Sequence, residues 1–167
     1  MVQVRIVGVA LDSRAQHLIL LKPMDEEVGS GRMLPIWIGA QEATSILIAV
    51  EGAEAPRPLS HDLMKTLIEA VGATVERVDV TKIEDGTFYA EIRLRTRSGP
   101  LIIDSRPSDA IAIASRMDAP IWVNDDVLEE AGIVDEGEGI APEVQEERLD
   151  EFRKFLDEVD PEDFQGG

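Results

Sequence analysis

The sequence predicts an α/β protein of the α+β type: a mixed β-sheet with helices packed on it, then an acidic C-terminal helical tail. Three observations predict it. Stretches of about ten residues alternate apolar and polar side chains at the two-residue period of a half-buried strand. Other stretches repeat apolar residues at the three-to-four spacing of a helix. Beyond residue 134 the composition shifts to Asp, Glu and Gly, which marks the end of a packed domain.

The elements follow in order. Val2 to Leu11 and His17 to Lys22 read as two strands around the turn-forming run Asp12-Ser13-Arg14-Ala15-Gln16. Met24 to Arg32 is a polar loop, and Leu34 to Ile38 is a short buried strand. Ala43, Ile46, Leu47 and Val50 then form a helical stripe that Gly52 ends. After a loop with two prolines, Ser60 is the expected N-cap of a helix with Leu63, Met64, Leu67, Ile68 and Val71 on its apolar face. Val75 to Ile83 and Phe88 to Arg97 flank Asp85-Gly86, a strong hairpin signal. Ser98-Gly99-Pro100 turns the chain into a strand from Leu101 to Asp104. The helix after Pro107 is rich in small and apolar residues on more than one side, which predicts close packing all round. Ile121 to Val123 is a short strand and Asp125 to Ala131 a short helix.

The domain is expected to cover residues 1–133, with an acidic linker and tail over 134–167. In the tail, Leu149, Phe152, Phe155, Leu156 and Val159 share one face of a helix too short to be stable alone, so it should dock on the domain or on a second copy. A homo-oligomer is expected, with a dimer as its simplest form. The net charge of −18 is uneven: residues 1–123 hold 17 acidic and 13 basic residues, whereas 124–167 hold 17 acidic and 3 basic. An acidic chain repels polyphosphate at long range, so any hold on nucleic acid should be weak and assisted by a cation. The absence of cysteine excludes disulfides and thiolate chemistry. No run of 18 apolar residues predicts a membrane helix, and no secretion signal precedes the first strand, so a cytoplasmic location is expected.

Two segments carry the most chemical information. Arg57-Pro58-Leu59-Ser60-His61-Asp62 and Arg106-Pro107-Ser108-Asp109 each place an arginine before a proline at the start of an apolar helix. A helix N-terminus with a cation beside it is an anion site, and ordinary capping is the competing explanation. These segments also belong to a wider pattern. Met33-Leu34-Pro35-Ile36-Trp37-Ile38-Gly39 with Glu42-Ala43, the run from Arg57 to Met64, Asp85-Gly86-Thr87-Phe88-Tyr89-Ala90, and Arg106 to Ala112 together resemble the signature of the bifunctional nuclease domain family over roughly residues 2–133. The resemblance implies a compact α/β domain with activity on DNA, RNA or both.

Under that implied activity, phosphodiester hydrolysis without cysteine or zinc spacing points to Mg²⁺ or Mn²⁺ held by carboxylates. Asp104, Asp109 and Glu42 are the expected metal ligands. His61, Asp62 and Asp109 are the expected catalytic groups, His61 as base or ligand, because a helix N-terminus disfavours the imidazolium. Arg57 and Arg106 are the expected phosphate clamps. An Asp104–Arg106–Asp109 ion-pair cluster that merely locks the turn is the alternative. Asp85 is read as a turn residue only, and His17 is assigned no role. Tyr89, Arg93, Arg95 and Arg97 share a strand face that could track a phosphate backbone, but pairing, across the hairpin with Glu76 or with acidic residues of the tail, is preferred in so acidic a chain.

Two functions follow: a divalent-metal-dependent nuclease, and a non-catalytic oligomeric binding module whose Arg-Pro helix starts hold a small anion or a partner carboxylate. Whichever holds, the charge shift predicts that a chain ending at Gly137 keeps a cooperative thermal melt. Loss of that transition would place the tail in the core.

Overall fold

The computed structural model describes residues 1–137. Eight strands and four helices follow in the order β1 (Val2–Leu11), β2 (His17–Pro23), β3 (Arg32–Trp37), α1 (Ala40–Glu51), α2 (Ser60–Ala70), β4 (Thr74–Glu84), β5 (Thr87–Thr96), β6 (Gly99–Ser105), α3 (Pro107–Met117), β7 (Ile121–Val123), α4 (Asp125–Ala131) and β8 (Ile133–Val134). They build one sheet in the order β6-β5-β4-β7-β1-β2-β3-β8. β7 runs parallel to β4 and antiparallel to β1, which makes the sheet mixed as expected. No described helix is long and apolar enough to cross a membrane.

Local chemistry sets the turns. Asp12 accepts the amides of Arg14 and Gln16 through Oδ1, at 2.8 and 2.9 Å, which closes the β1–β2 turn. Asp85 and Gly86 both sit at positive φ, 50° and 76°, so the β4–β5 hairpin has the twist-matched two-residue turn that Asp-Gly favours. Gly52 ends α1 in the left-handed region at φ 66°. At α2 the sequence expectation shifts by one residue. Leu59 is the N-cap and Ser60 already lies inside the helix. Asp62 accepts the Leu59 amide at 2.9 Å, so a carboxylate from the third helical position satisfies the start instead of a serine hydroxyl.

The main core lies between the sheet and α1, α3 and α4. Ile19, Leu21, Leu34 and Ile36 from β2 and β3 meet Val78 and Val80 from β4, Ala90 and Ile92 from β5, and Ile46 from α1. α3 packs on β4 and β5 and touches both α1 and α2. Its run from Ala110 to Ala114 is buried without a break, because three alanines let neighbouring backbones approach from several sides. α2 differs. Of its apolar face, only Ile68 packs against the core, while Leu63, Met64, Leu67 and Val71 are exposed.

β2 is buried on both faces. Ile19 and Leu21 join the main core, while Leu18 and Leu20 join Ala10 and Met33 in a small second cluster on the opposite face. Lys22 falls on the face of Leu18 and Leu20 and is wholly buried. Its Nζ meets Asp135 Oδ2 at 2.9 Å, and Asp135 also accepts the Gly29 amide at 2.8 Å. The segment read from sequence as the start of an acidic linker is therefore fastened to the domain through Asp135. The rest of the tail, with its apolar face from Leu149 to Val159, lies outside the described residues.

Breaking that pair should be costly. Asp135→Ala leaves the buried ammonium with no carboxylate nearer than Glu26 at 3.9 Å, and a loss of up to about 3–5 kcal/mol is expected in urea unfolding. The double variant Lys22→Met/Asp135→Ala should recover part of it, since no unpaired charge then remains. A single-variant cost below about 1 kcal/mol would mean that water reaches Lys22.

Candidate functional site

Three helices bring their first turns together. Arg106 is the N-cap of α3, extended at φ −68° and ψ 143°, with Pro107 as the first helical residue. Pro forces its predecessor out of the helical region, and this holds the arginine at the mouth of the helix. The side chain is 66% exposed, yet two of its nitrogens are committed. Nε donates to Asp109 Oδ2 at 2.8 Å and Nη2 to Glu42 Oε1 at 2.9 Å. Asp109 Oδ1 meets His61 Nε2 at 2.9 Å, and the other ring nitrogen, Nδ1, meets Ser45 Oγ at 2.6 Å.

Ser45 and Glu42 are three residues apart on α1, so the chain of contacts closes into a ring through α1, α2 and α3. Within it, burial is the largest influence on Asp109 and opposes its ionisation. The hydrogen bonds from Arg106 and His61, with the charge of Arg106, outweigh burial and hold the carboxyl below the usual range. The two carboxylates in turn raise Arg106 above its ordinary value, through the bonds to Asp109 and then Glu42.

The Asp109–His61–Ser45 order has the members of a nucleophilic triad but not its access. Ser45 and His61 are both buried, and Ser45 sits in the middle of α1. Both ring nitrogens of His61 are engaged inside the protein, one with Ser45 and one with Asp109. Asp62 is committed elsewhere: Arg116 Nε donates to it at 2.7 Å, and it holds the start of α2. Those bonds outweigh a larger opposing effect of burial and keep Asp62 below the usual range.

The expected metal ligands do not gather. Glu42 and Asp109 both face Arg106, a cation already placed between them. Asp104 is exposed on edge strand β6, opposite Glu91 of β5. Among the described residues no three His, Asp or Glu side chains are grouped to hold a metal ion, so the arrangement as it stands does not fit Mg²⁺ or Mn²⁺. The two Arg-Pro starts also part company. Arg57 is exposed and makes no described contact, whereas Arg106 lines a cleft of about 620 Å³.

That cleft opens where the β1–β2 turn, the end of β3, the β4–β5 hairpin tip and the start of α3 meet. Gln16, His17, Trp37, Phe88, Arg106 and Ser108 contribute to its walls. Ser108 is 6% exposed, and its hydroxyl has no hydrogen-bond partner among the described residues. No side chain caps α3, so the first amides of the helix are open beside this hydroxyl. By contrast, the carboxylate of Glu42 folds back over Gly39 at the start of α1, where an added Cβ would lie 2.1 Å from Oε2. The open N-terminus on this cleft is that of α3.

The bifunctional nuclease domain model matches residues 19–136. The chain belongs to the bifunctional nuclease domain family. An uncharacterized protein of Mycobacterium tuberculosis (strain H37Rv) is 38% identical over 165 residues, covering 97% of each chain. Bifunctional nuclease 1 of Oryza sativa subsp. japonica is 32% identical over 116 residues, 68% of this chain and 34% of the plant protein. Bifunctional nuclease 2 of Arabidopsis thaliana is 31% identical over 120 residues, 70% of this chain and 36% of its own length.

For this bifunctional nuclease domain the sequence reading named Glu42, His61, Arg106 and Asp109 as separate site candidates without placing the distant ones together, and the structure joins them in one ring. It missed Ser45, Ser108 and Trp37. The available signal was a serine inside an apolar helical run, since a buried hydroxyl needs a partner or a ligand. The arginine stripe pairs across the hairpin as preferred: Arg95 with Glu76 at 2.7 Å, and Arg93 with the fully buried Asp79, which Arg77 approaches from its other oxygen.

Asp109 gives the site an acid limb. Its folded pKa is depressed, so the unfolded chain takes up the proton first as pH falls. Its stabilising contribution is complete above the ordinary aspartate value of about 3.9 and is lost as pH drops through that value toward the lower folded one. The urea midpoint of Asp109→Asn should therefore fall less steeply than wild type between about pH 5 and 2. Parallel curves would mean that Asp109 is not held ionised by the ring.

Proposed function

We propose that this domain is a nuclease that seats a substrate phosphodiester at the N-terminus of α3. The observation that carries the reading is Ser108, a largely buried residue that lines the cleft and whose hydroxyl makes no hydrogen bond to a described residue, at an uncapped helix start beside Arg106. Helix amides and a hydroxyl supply directional donors, and Arg106 adds charge on the same side. Family membership and the plant proteins named bifunctional nuclease support the reaction class.

In hydrolysis a water attacks phosphorus, one ester P–O bond breaks, and the departing oxygen takes a proton. The negative charge that builds on the phosphoryl oxygens would be met by Arg106, Ser108 and the helix amides. Asp109, kept ionised, is a weak base, so its part is to orient the water. His61 fixes the direction of that carboxylate from behind. Glu42 and Asp109 are turned to Arg106, which occupies the place between them. If Mg²⁺ or Mn²⁺ serves cleavage, EDTA should abolish it while leaving substrate binding intact. The exposed apolar face of α2 supports self-association as a dimer in the same reading.

The test uses protein freed of host nucleases on single- and double-stranded DNA and RNA. Arg106→Ala should lower kcat/KM by about a hundredfold or more and also lower the melting temperature, because it opens the ring, whereas Ser108→Ala should lower kcat/KM by about tenfold with an unchanged melting temperature. Rising salt should weaken substrate binding. Cleavage that is equal in wild type and both variants would remove α3 from the chemistry. Phosphodiester binding without cleavage would leave a binding module in its place.

A further inference from the structure

We propose that the cleft takes an unpaired nucleobase on Trp37 while the adjoining phosphate sits at α3, so that the substrate is single-stranded nucleic acid. This rests on the α3 phosphate reading and names its substrate class. Trp37 ends β3, lines the cleft and is 54% exposed, an unusual cost for an indole in a monomeric surface. It is not loose. Its Nε1 donates to Asp12 Oδ2 at 2.9 Å, and Asp12 is itself fixed by two turn amides. The ring edge is thus tethered and a face is left available.

Three features then coincide in one cavity: a tethered aromatic, the donor side chains of Arg106 and Ser108, and a volume of about 620 Å³, within the range of small-ligand sites. Every base has a π-face, so stacking on Trp37 requires no sequence. It does require that the base leave its own stack, which a duplex resists. Duplex phosphates could reach Arg106, but a paired base could not reach Trp37.

The experiment measures anisotropy of a fluorescein-labelled twelve-nucleotide oligothymidylate in EDTA and low salt. A hairpin duplex and an abasic phosphodiester of equal length serve as comparison probes. Wild type should bind the oligothymidylate at least about tenfold tighter than either comparison probe. Trp37→Leu should erase that preference, and Trp37→Phe should keep most of it because a ring remains. In Trp122→Phe, which leaves Trp37 as the only tryptophan, oligothymidylate should quench fluorescence and the abasic strand should not.

Arg106→Ala and Ser108→Ala should weaken all three probes alike. If Trp37→Leu binds oligothymidylate as wild type does while Arg106→Ala loses it, the base platform is overturned and the phosphate site stands. If neither Arg106→Ala nor Ser108→Ala changes binding of the abasic strand, the α3 phosphate reading fails, and this inference with it. Equal affinity for duplex and single strand overturns the substrate class alone.

Discussion

The arrangement depends on one guanidinium. Arg106 sits at the mouth of α3 and reaches across to Glu42 of α1, while its other donor holds Asp109, which holds His61 of α2, which meets Ser45 back on α1. Pairs of contacting residues can slide; a closed ring through three helices cannot open at one link without leaving a polar group short of a partner. Partly buried hydrogen bonds to charged groups are among the stronger ones. The ring therefore fixes the relative positions of three helix starts, a task that helix packing alone would leave to ridge-and-groove tolerance.

The packing of α3 makes this precision useful. Ala110, Ala112 and Ala114 allow the helix to be surrounded, so from Ala110 onward it is set by the core. Its first turn, in which Pro107 and Ser108 are themselves buried, lines the cleft. Pro107 contributes by fixing its own φ and by pushing Arg106 into the extended region. A second link, Arg116 to Asp62, ties the far end of α3 to the start of α2, with Arg116 also donating to the Ala112 carbonyl at 3.0 Å. α2 is held by these polar ties more than by its apolar face, and so Leu63, Met64, Leu67 and Val71 can remain exposed while the helix stays in place.

Legibility followed the range of the interaction. The Asp85-Gly86 hairpin, the Gly52 helix stop and the period-two strands are local, so backbone sterics in a short window decide them. The Arg106–Asp109 contact spans three residues and was legible too. Lys22–Asp135 spans 113 residues and His61–Asp109 spans 48, and no pattern in either segment names its partner. α2 shows a different limit. An amphipathic stripe marks which side of a helix is apolar, but which part of it is covered depends on neighbours that the stripe does not specify. Asp104 lies apart from the ring for a geometric reason: it sits exposed on edge strand β6 opposite Glu91, and only Arg106 separates the end of that strand, Ser105, from the start of α3.

The local charge balance explains why an aromatic platform belongs in this cleft. Arg106 is offset by Glu42 and Asp109, so these three side chains sum to one negative charge. A phosphate at α3 is not drawn in by net charge, and a chain at −18 gives no long-range help. What remains is directional: a hydroxyl, helix amides and one guanidinium face aimed at a single point. Such a site orients a phosphate well and holds it weakly. Stacking adds affinity without charge, is insensitive to the acidic surroundings, and lies within the same cavity at Trp37. For an acidic protein in the proposed role of binding a polyanion, neutral contact with the base is the interaction that its own electrostatics do not oppose.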